Sequence, residues 1–342
     1  MKNLFEDLFV LELANNHLGD FDRAKEMILQ CAQIAHKFSA KVAIKFQLRD
    51  AKNFVHKDFC DRDDIRYVRK VLDTILTNDE YKRLYDIARE QGFLTMATPF
   101  DETAVQMCKD FDIDIIKIAS SDIKNITLLK KIAELKKPVI ASLGGAQIDE
   151  CDNLVSYFEL NSIPLALNYC VSLYPTKNED LNLSEISMLK DRYCGHFVGF
   201  STHQEQKNLK YSIPSAVALG ARMIERHVDI EFKGKMRLDY CSKPQELAEI
   251  FEAYFEAKKM CEKTNAKKLL VFEKQKEILK KFTRGAWATR DLSAGDKIKQ
   301  EDFYFAIPYQ NGQLSHNDFV CNQILKCDIK KDKPILLENI QI

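Results

Sequence analysis

The chain has 342 residues, with 51 Lys+Arg balanced by 51 Asp+Glu and a hydrophobic content of 46%. Balanced charge at this length excludes a polyelectrolyte surface built for nucleic acid and leaves a globular protein of one large domain plus a small one. No apolar run approaches the ~18 residues that cross a membrane. The opening MKNLFEDLFVLELANNH places acids inside its apolar run, unlike a signal peptide. Ten cysteines are scattered with no CxxC pair, a usage that fits reduced thiols rather than a disulfide frame or a zinc ribbon. A cytoplasmic protein with no membrane or nucleic-acid partner is expected.

Strand-like runs recur along the first 230 residues: FVLELA (9–14), VAIKFQ (42–47), FLTMATP (93–99), IIKIAS (115–120), PVIASLG (138–144), LALNYC (165–170), FVGFS (197–201) and RMIERH (222–227). Most are near-continuous apolar runs, as parallel strands covered on both faces require. Helix-like stretches such as DRAKEMILQCAQIAHKF (22–38) and TLLKKIAELKK (127–137) fill most gaps. Eight such alternations predict a (β/α)8 barrel. A doubly wound sheet is the alternative, and it lacks a GxGxxG turn after the first strand.

Barrel enzymes place their chemistry where strands end, and these ends are polar. Strand one delivers Glu12, then Asn15, Asn16 and His17; strand two carries Lys45 and Gln47; strand three ends in Thr98 and Asp101. Strand four holds Lys117, followed by Ser120 and Asp122. Strand five ends at Ser142 before Gly144 and Gly145, whose missing Cβ atoms let a ligand approach the backbone. Strand six leads to Ser172 and Tyr174, strand seven to Ser201 and His203, strand eight to His227. Two imidazoles on neighbouring parallel strands can share a metal ion; equally, one can cap a loop while the other packs in the core. Two lysines among hydroxyls, without a Walker loop, suit a phosphate or carboxylate held by side chains. Glu12 beside them is a candidate acid, base or water-holder.

After His227 the pattern changes. ELAEIFEAYFEAKKMCEKTN (246–265) reads as the last barrel helix, and KKLLVFEKQKEILKKF (267–282) as a linker and surface helix. A β-rich tail follows, with a turn at Ser293-Ala294-Gly295-Asp296. Its two pieces, TRDLSAGDKIKQEDF and KCDIKKDKPILLENI, echo one another. The expected organisation is a barrel over 1–265, a linker over 266–281 and a small β-rich domain over 282–342.

These residues resemble the sialic acid synthases, over nearly the whole chain. The motifs that carry the resemblance are ELANNHLGD, IKFQ, ATPFDE, IIKIASSD, PVIASLGG, YCVSLYPT, VGFSTH and LGARMIERH, with RGAWATRDLSAGDKIKQEDF similar to that family's antifreeze-like SAF domain. The resemblance implies condensation of phosphoenolpyruvate with a sugar aldehyde to a 3-deoxy-2-ulosonic acid, in the supply of surface polysaccharide. It implies that Glu12, Lys45 and Lys117 are catalytic, and that His203 and His227 hold a divalent metal, manganese or magnesium. Gln47, Thr98, Ser120, Asp122, Ser142, Ser172, Tyr174, Ser201 and Asp239 would line the substrate sites. It also implies a homodimer in which the small domain of one chain covers its partner's barrel mouth.

The chain departs from the family pattern at several places. Ser142-Leu143-Gly144-Gly145 stands where a serine-threonine-glycine-methionine turn is usual. Ser172 replaces an asparagine, Thr202 an aspartate and Asp122 a glutamate, and MRLD ending at Asp239 replaces a proline-glycine-proline-aspartate loop. Ile307-Pro308-Tyr309 stands where an arginine-proline-glycine motif reaches the partner's sugar. Losing such a charged contact is worth ~1.5–3 kcal/mol, which implies a different acceptor sugar unless Gln310 or Asn311 substitutes. Two other readings remain at this stage. One is a Schiff-base aldolase using Lys117 or Lys45, and the other is a non-catalytic sugar-binding protein.

Overall fold

A computed structural model describes residues 4–50, 53–234, 239–261, 272–318 and 322–341. The chain divides into two compact units, residues 1–263 and 264–342. In the first, eight parallel strands close into a barrel in chain order. They are β1 (Leu8–Ala14), β2 (Lys41–Leu48), β3 (Leu94–Pro99), β4 (Ile115–Ile118), β5 (Val139–Ser142), β6 (Leu165–Cys170), β7 (Phe197–Thr202) and β8 (Met223–His227). Helices alternate with the strands, so the expected (β/α)8 barrel is what forms, and closure of β8 onto β1 excludes the open sheet.

The outer helices follow from local sequence. Asp20 caps helix Phe21–Lys37 by accepting from the Arg23 N–H at 2.9 Å, a contact worth about 1 kcal/mol. Ala24, Met27, Ile28, Cys31 and Ala35 then recur at helical spacing and bury one stripe against the strands. No helix among the described residues is long and apolar enough to cross a membrane.

The barrel interior positions the site. Alternate strand residues point inward, and one inward layer is an apolar plug that includes Val10, Ala43, Met96, Ile115, Ile140, Ala166 and Met223. Two residues further along each of those strands, the next inward layer is polar without exception: Glu12, Lys45, Thr98, Lys117, Ser142, Asn168 and Glu225. On β7 the corresponding pair is Gly199 and Ser201. A Cβ on Gly199 would lie 2.2 Å from Asn168 Oδ1 and 2.9 Å from Met223 Cβ, so only glycine lets both neighbours fill the interior there.

The second unit has its own small core, built on Ala286, Leu292, Ile298, Phe303, Ile329 and Ile340. Strand β9 (Gly285–Ala288) pairs antiparallel with β10 (Phe303–Ala306), and β11 (Ile324–Leu325) with β12 (Ile340–Gln341). The echo seen in the sequence is structural. Short 3-10 turns recur at Gln300–Asp302 and Leu337–Asn339, and left-handed residues recur at Gly295 (φ 89°) and Asp332 (φ 62°). The two copies clasp each other through Leu292 and Ile329, which exchange backbone hydrogen bonds of 2.8 and 2.9 Å. Each copy's aspartate also caps the other's turn: Asp328 accepts from the Ala294 N–H and Asp291 from the Lys331 N–H, both at 2.8 Å. The charged run expected to be a linker and surface helix contributes helix Glu273–Lys280 to this unit, and residues 262–271 lie outside the described set.

Candidate active site

The polar layer opens into a cavity of about 420 Å³ at the carboxyl ends of the strands. Its lining brings together Glu12, Lys45, Gln47, Thr98, Lys117, Ser120, Ser142, Ser172, Tyr174, Ser201, His203 and His227. Two residues expected there are elsewhere. Asp122 lines a second cavity, of about 890 Å³, that shares Gln47, Phe100, Ser121, Tyr174 and His227 with the first. Asp239 is exposed and lines neither cavity, while its neighbour Tyr240 turns inward to the histidines. Residues 236–238 of the same loop, with Arg237, lie outside the described set.

At the floor is a buried ion cluster. Glu225 bridges the two lysines: Lys45 Nζ lies 2.8 Å from its Oε1, and Lys117 Nζ pairs with its Oε2. Glu12 forms a second ion pair with Lys45 and accepts from the Ala14 N–H at 2.6 Å. Asn168 Nδ2 donates to Glu225 Oε2 at 3.1 Å. Burial pushes the Glu225 carboxyl up, but Lys117 and Lys45 outweigh it and hold the group well below the usual carboxylate range. Burial likewise pushes Lys45 down, yet Glu12 and Glu225 together hold it above an ordinary lysine. For Lys117, burial outweighs the pull of Glu225, and repulsion from Lys45 adds to the loss, so it is the weaker base of the two.

Glu225 escaped the sequence reading. In RMIERH it is one of several polar residues before His227, and nothing local sets it apart. The available signal was its spacing, two residues before His227 and therefore on the same inward face.

The two histidines stand above this floor with ring centroids 5.2 Å apart. His203 Nδ1 lies 3.1 Å from the Val171 carbonyl, so that nitrogen carries the proton and Nε2 keeps its lone pair. Burial lowers the His203 pKa to about 4 and pushes His227 further down, so both rings are neutral near pH 7. His227 Nδ1 is buried without a hydrogen-bond partner. A neutral imidazole pair with an orphaned nitrogen fits a metal-holding pair that leaves most coordination positions open. Among the described residues there is no cluster of three or more His, Cys, Asp or Glu that would complete a closed site. Tyr174 and Tyr240 flank the pair, at centroid distances of 4.3 Å from His203 and 5.6 Å from His227.

The hydroxyl side is equally specific. Ser120 Oγ accepts from the Gly144 N–H at 3.0 Å, and Thr98 Oγ1 is buried with no partner. A Cβ on Gly144 would fall 2.4 Å from Ser172 Oγ and 2.8 Å from Cys170 Sγ, which accounts for the glycine turn after β5. Other polar residues at strand ends are scaffold. His17 is fully buried against Phe46 and Tyr81. Arg226 is buried and donates to the Gln204 carbonyl at 2.6 Å and to Ser242 Oγ at 2.8 Å, fixing the loop that carries His203.

A family model described as the NeuB family matches residues 33–266, more than half of the chain. The chain belongs to the NeuB family. Its relatives include the N-acetylneuraminate-9-phosphate synthase of Drosophila melanogaster, 27% identical over 98% of this chain and 97% of that one. The pseudaminic acid synthase of Campylobacter jejuni is 29% identical over 88% and 87%. A solved Chromobacterium violaceum structure, described as a spore coat polysaccharide biosynthesis protein E, superposes with a TM-score of 0.87 at 31% identity, covering 98% of this chain and all of the other.

The ion cluster of this NeuB-family barrel gives a direct expectation. Glu225→Gln keeps the shape but strips the charge that compensates two buried lysines. Breaking a buried pair this way costs about 3–5 kcal/mol. Thermal unfolding should show a midpoint several degrees lower than the parent; an unchanged midpoint would mean the lysines do not need the carboxylate.

Proposed function

We propose that the protein condenses phosphoenolpyruvate with a sugar aldehyde, releasing phosphate and a 3-deoxy-2-ulosonic acid, in the manner of sialic acid synthases. The observation that carries this reading is the convergence of two lysines, a hydroxyl wall and a neutral histidine pair on one cavity. Membership of the NeuB family and relatives that make N-acetylneuraminate 9-phosphate and pseudaminic acid support it.

Phosphoenolpyruvate brings a carboxylate and a phosphate. Lys45, Lys117, Thr98, Ser120, Ser142 and Ser201 are the groups that would hold them, the lysines exchanging part of their pairing with Glu12 and Glu225 for the substrate's oxygens. His203 and His227 would hold a divalent ion, which supplies polarisation of the aldehyde carbonyl. Gln47 and Tyr174 would position the sugar so that its aldehyde carbon meets C3 of phosphoenolpyruvate. As the C3–C1 bond forms, the aldehyde oxygen takes a proton from solvent and positive charge develops at C2. Water adds to C2 and loses a proton to Glu12, which returns it to solvent. The C2–O bond to phosphate then breaks as the C2 hydroxyl proton passes to the departing oxygen, leaving a ketone and hydrogen phosphate. Glu12 suits the role because Lys45 and the Ala14 N–H fix its carboxylate at the floor of the cavity.

A Schiff-base aldolase is disfavoured because both lysines are engaged by carboxylates, and Lys45 is held above its ordinary pKa. The second unit fits the antifreeze-like domain of such synthases, with the chain as a homodimer; light scattering should give the mass of two chains, and a monomer would contradict it. Ile307 in place of the arginine motif points to an acceptor other than the usual N-acyl sugar.

Phosphate release from phosphoenolpyruvate with manganese, across a panel of free and 6-phosphorylated hexoses and N-acyl amino sugars, tests the reading. Release should require one sugar, stop with chelator, and fall at least ~100-fold in His203→Ala and Lys117→Met. Borohydride trapping of substrate on a lysine, with no effect of chelator, would overturn it.

A further inference from the structure

The second cavity opens beside the histidine pair and shares Gln47, Tyr174 and His227 with the first, so it is where the acceptor end of a substrate would extend. Its charge is lopsided. Arg49, Arg66 and Lys70 all line it, against one carboxylate, Asp122. Asp122 is itself occupied, accepting from Ser121 Oγ at 2.7 Å and from Asn125 Nδ2 at 3.3 Å.

Among the described residues none of the three cations is in ion-pair contact with a carboxylate, and Arg49 feels Glu12, Asp101 and Asp122 only at longer range. Arg49 sits 4.1 Å over the Phe100 ring and donates to Gln47 Oε1 at 2.8 Å, while its Nε is buried with no hydrogen-bond partner. Arg66 and Lys70 lie one turn apart on helix Arg66–Leu72, and their charged side chains make no hydrogen bond or ion pair among the described residues. The nearby acids, Asp63 and Asp73, go to Arg69 instead. The cations also feel each other: Lys70 is held below an ordinary lysine first by partial burial at the rim, then by Arg49 and Arg66. Like charges gathered around a concave, aromatic-walled space are unfavourable until an anion enters, which is how anion sites are built.

We infer that this lobe is an anion subsite and that the acceptor sugar carries a negatively charged group, phosphate or carboxylate, bound by Arg49, Arg66 and Lys70. The inference rests on the synthase reading for calling the occupant an acceptor, while the anion preference stands on the cavity alone. The planar Arg49 and Arg66 forks can each take two oxygens, which favours an oxyanion over a halide-like point charge.

The test is calorimetric binding of N-acetylmannosamine 6-phosphate, glucuronate and neutral N-acetylmannosamine to the full chain with manganese, with phosphate release from phosphoenolpyruvate read on the same samples. At least one anionic sugar should bind ten-fold or more tighter than the neutral one, with a preference that shrinks as salt rises. Which anion wins tells phosphate from carboxylate. Arg66→Gln/Lys70→Gln, at rim positions that leave the core intact, should weaken the anionic sugar ten- to hundred-fold and leave neutral-sugar binding unchanged.

Equal binding of charged and neutral sugars, or a preference that survives the double substitution, overturns the inference. If the neutral sugar supports phosphate release as well as the charged ones do, the subsite fails while the synthase stands. If no sugar supports release yet anionic binding depends on Arg66 and Lys70, the synthase reading fails and the subsite stands.

Discussion

Two lysines buried side by side in a barrel would repel one another and resist folding, and Glu225 is what makes them tolerable. Its carboxylate touches both ammonium groups, with Glu12 adding a second contact to Lys45. The four charges cancel, so the floor is neutral as it stands. A buried pair of this kind adds little net stability. What it provides is a set of cations held in place before a ligand arrives.

Everything around the cluster serves that placement. The apolar plug sets the inward register of each strand, and one further step along the pleat turns the same face polar. Gly199 and Gly144 leave room where a methyl group would collide with Asn168 or Ser172. Arg226 and Arg23 tie down the loops after β7 and β1, Arg23 donating to the Asn16 carbonyl at 2.6 Å and to the Ile230 carbonyl at 2.7 Å. The cavity is thus built on strand ends, with loops contributing Ser172 and Tyr174.

The barrel was legible in the sequence because continuous apolar runs at regular intervals have few other uses, and strand-end polarity pointed to Glu12, Lys45, Lys117, His203 and His227. What escaped notice lay where that rule is silent. Glu225 lies in the same inward layer as Lys45 and Lys117, but its role depends on partners 108 and 180 residues away. Arg49, Arg66 and Lys70 come from the segment after β2, where no periodicity distinguishes a pocket wall from a solvated helix. Asp239 shows the reverse error, because a loop matched by motif alone carried no information about which neighbour turns inward. The tail's echo held, since paired turns need the same capping aspartate and a left-handed residue at the same place in each copy.

If carbon–carbon bond formation at C3 drives cleavage of the C2–oxygen bond of phosphoenolpyruvate, the bridging oxygen reports on it. Phosphoenolpyruvate labelled with oxygen-18 at that position should be turned over with the active sugar and manganese, and the phosphate analysed by mass. The label should leave with the phosphate. Label retained on the organic product would mean that the phosphorus–oxygen bond breaks instead, and the condensation mechanism would be wrong.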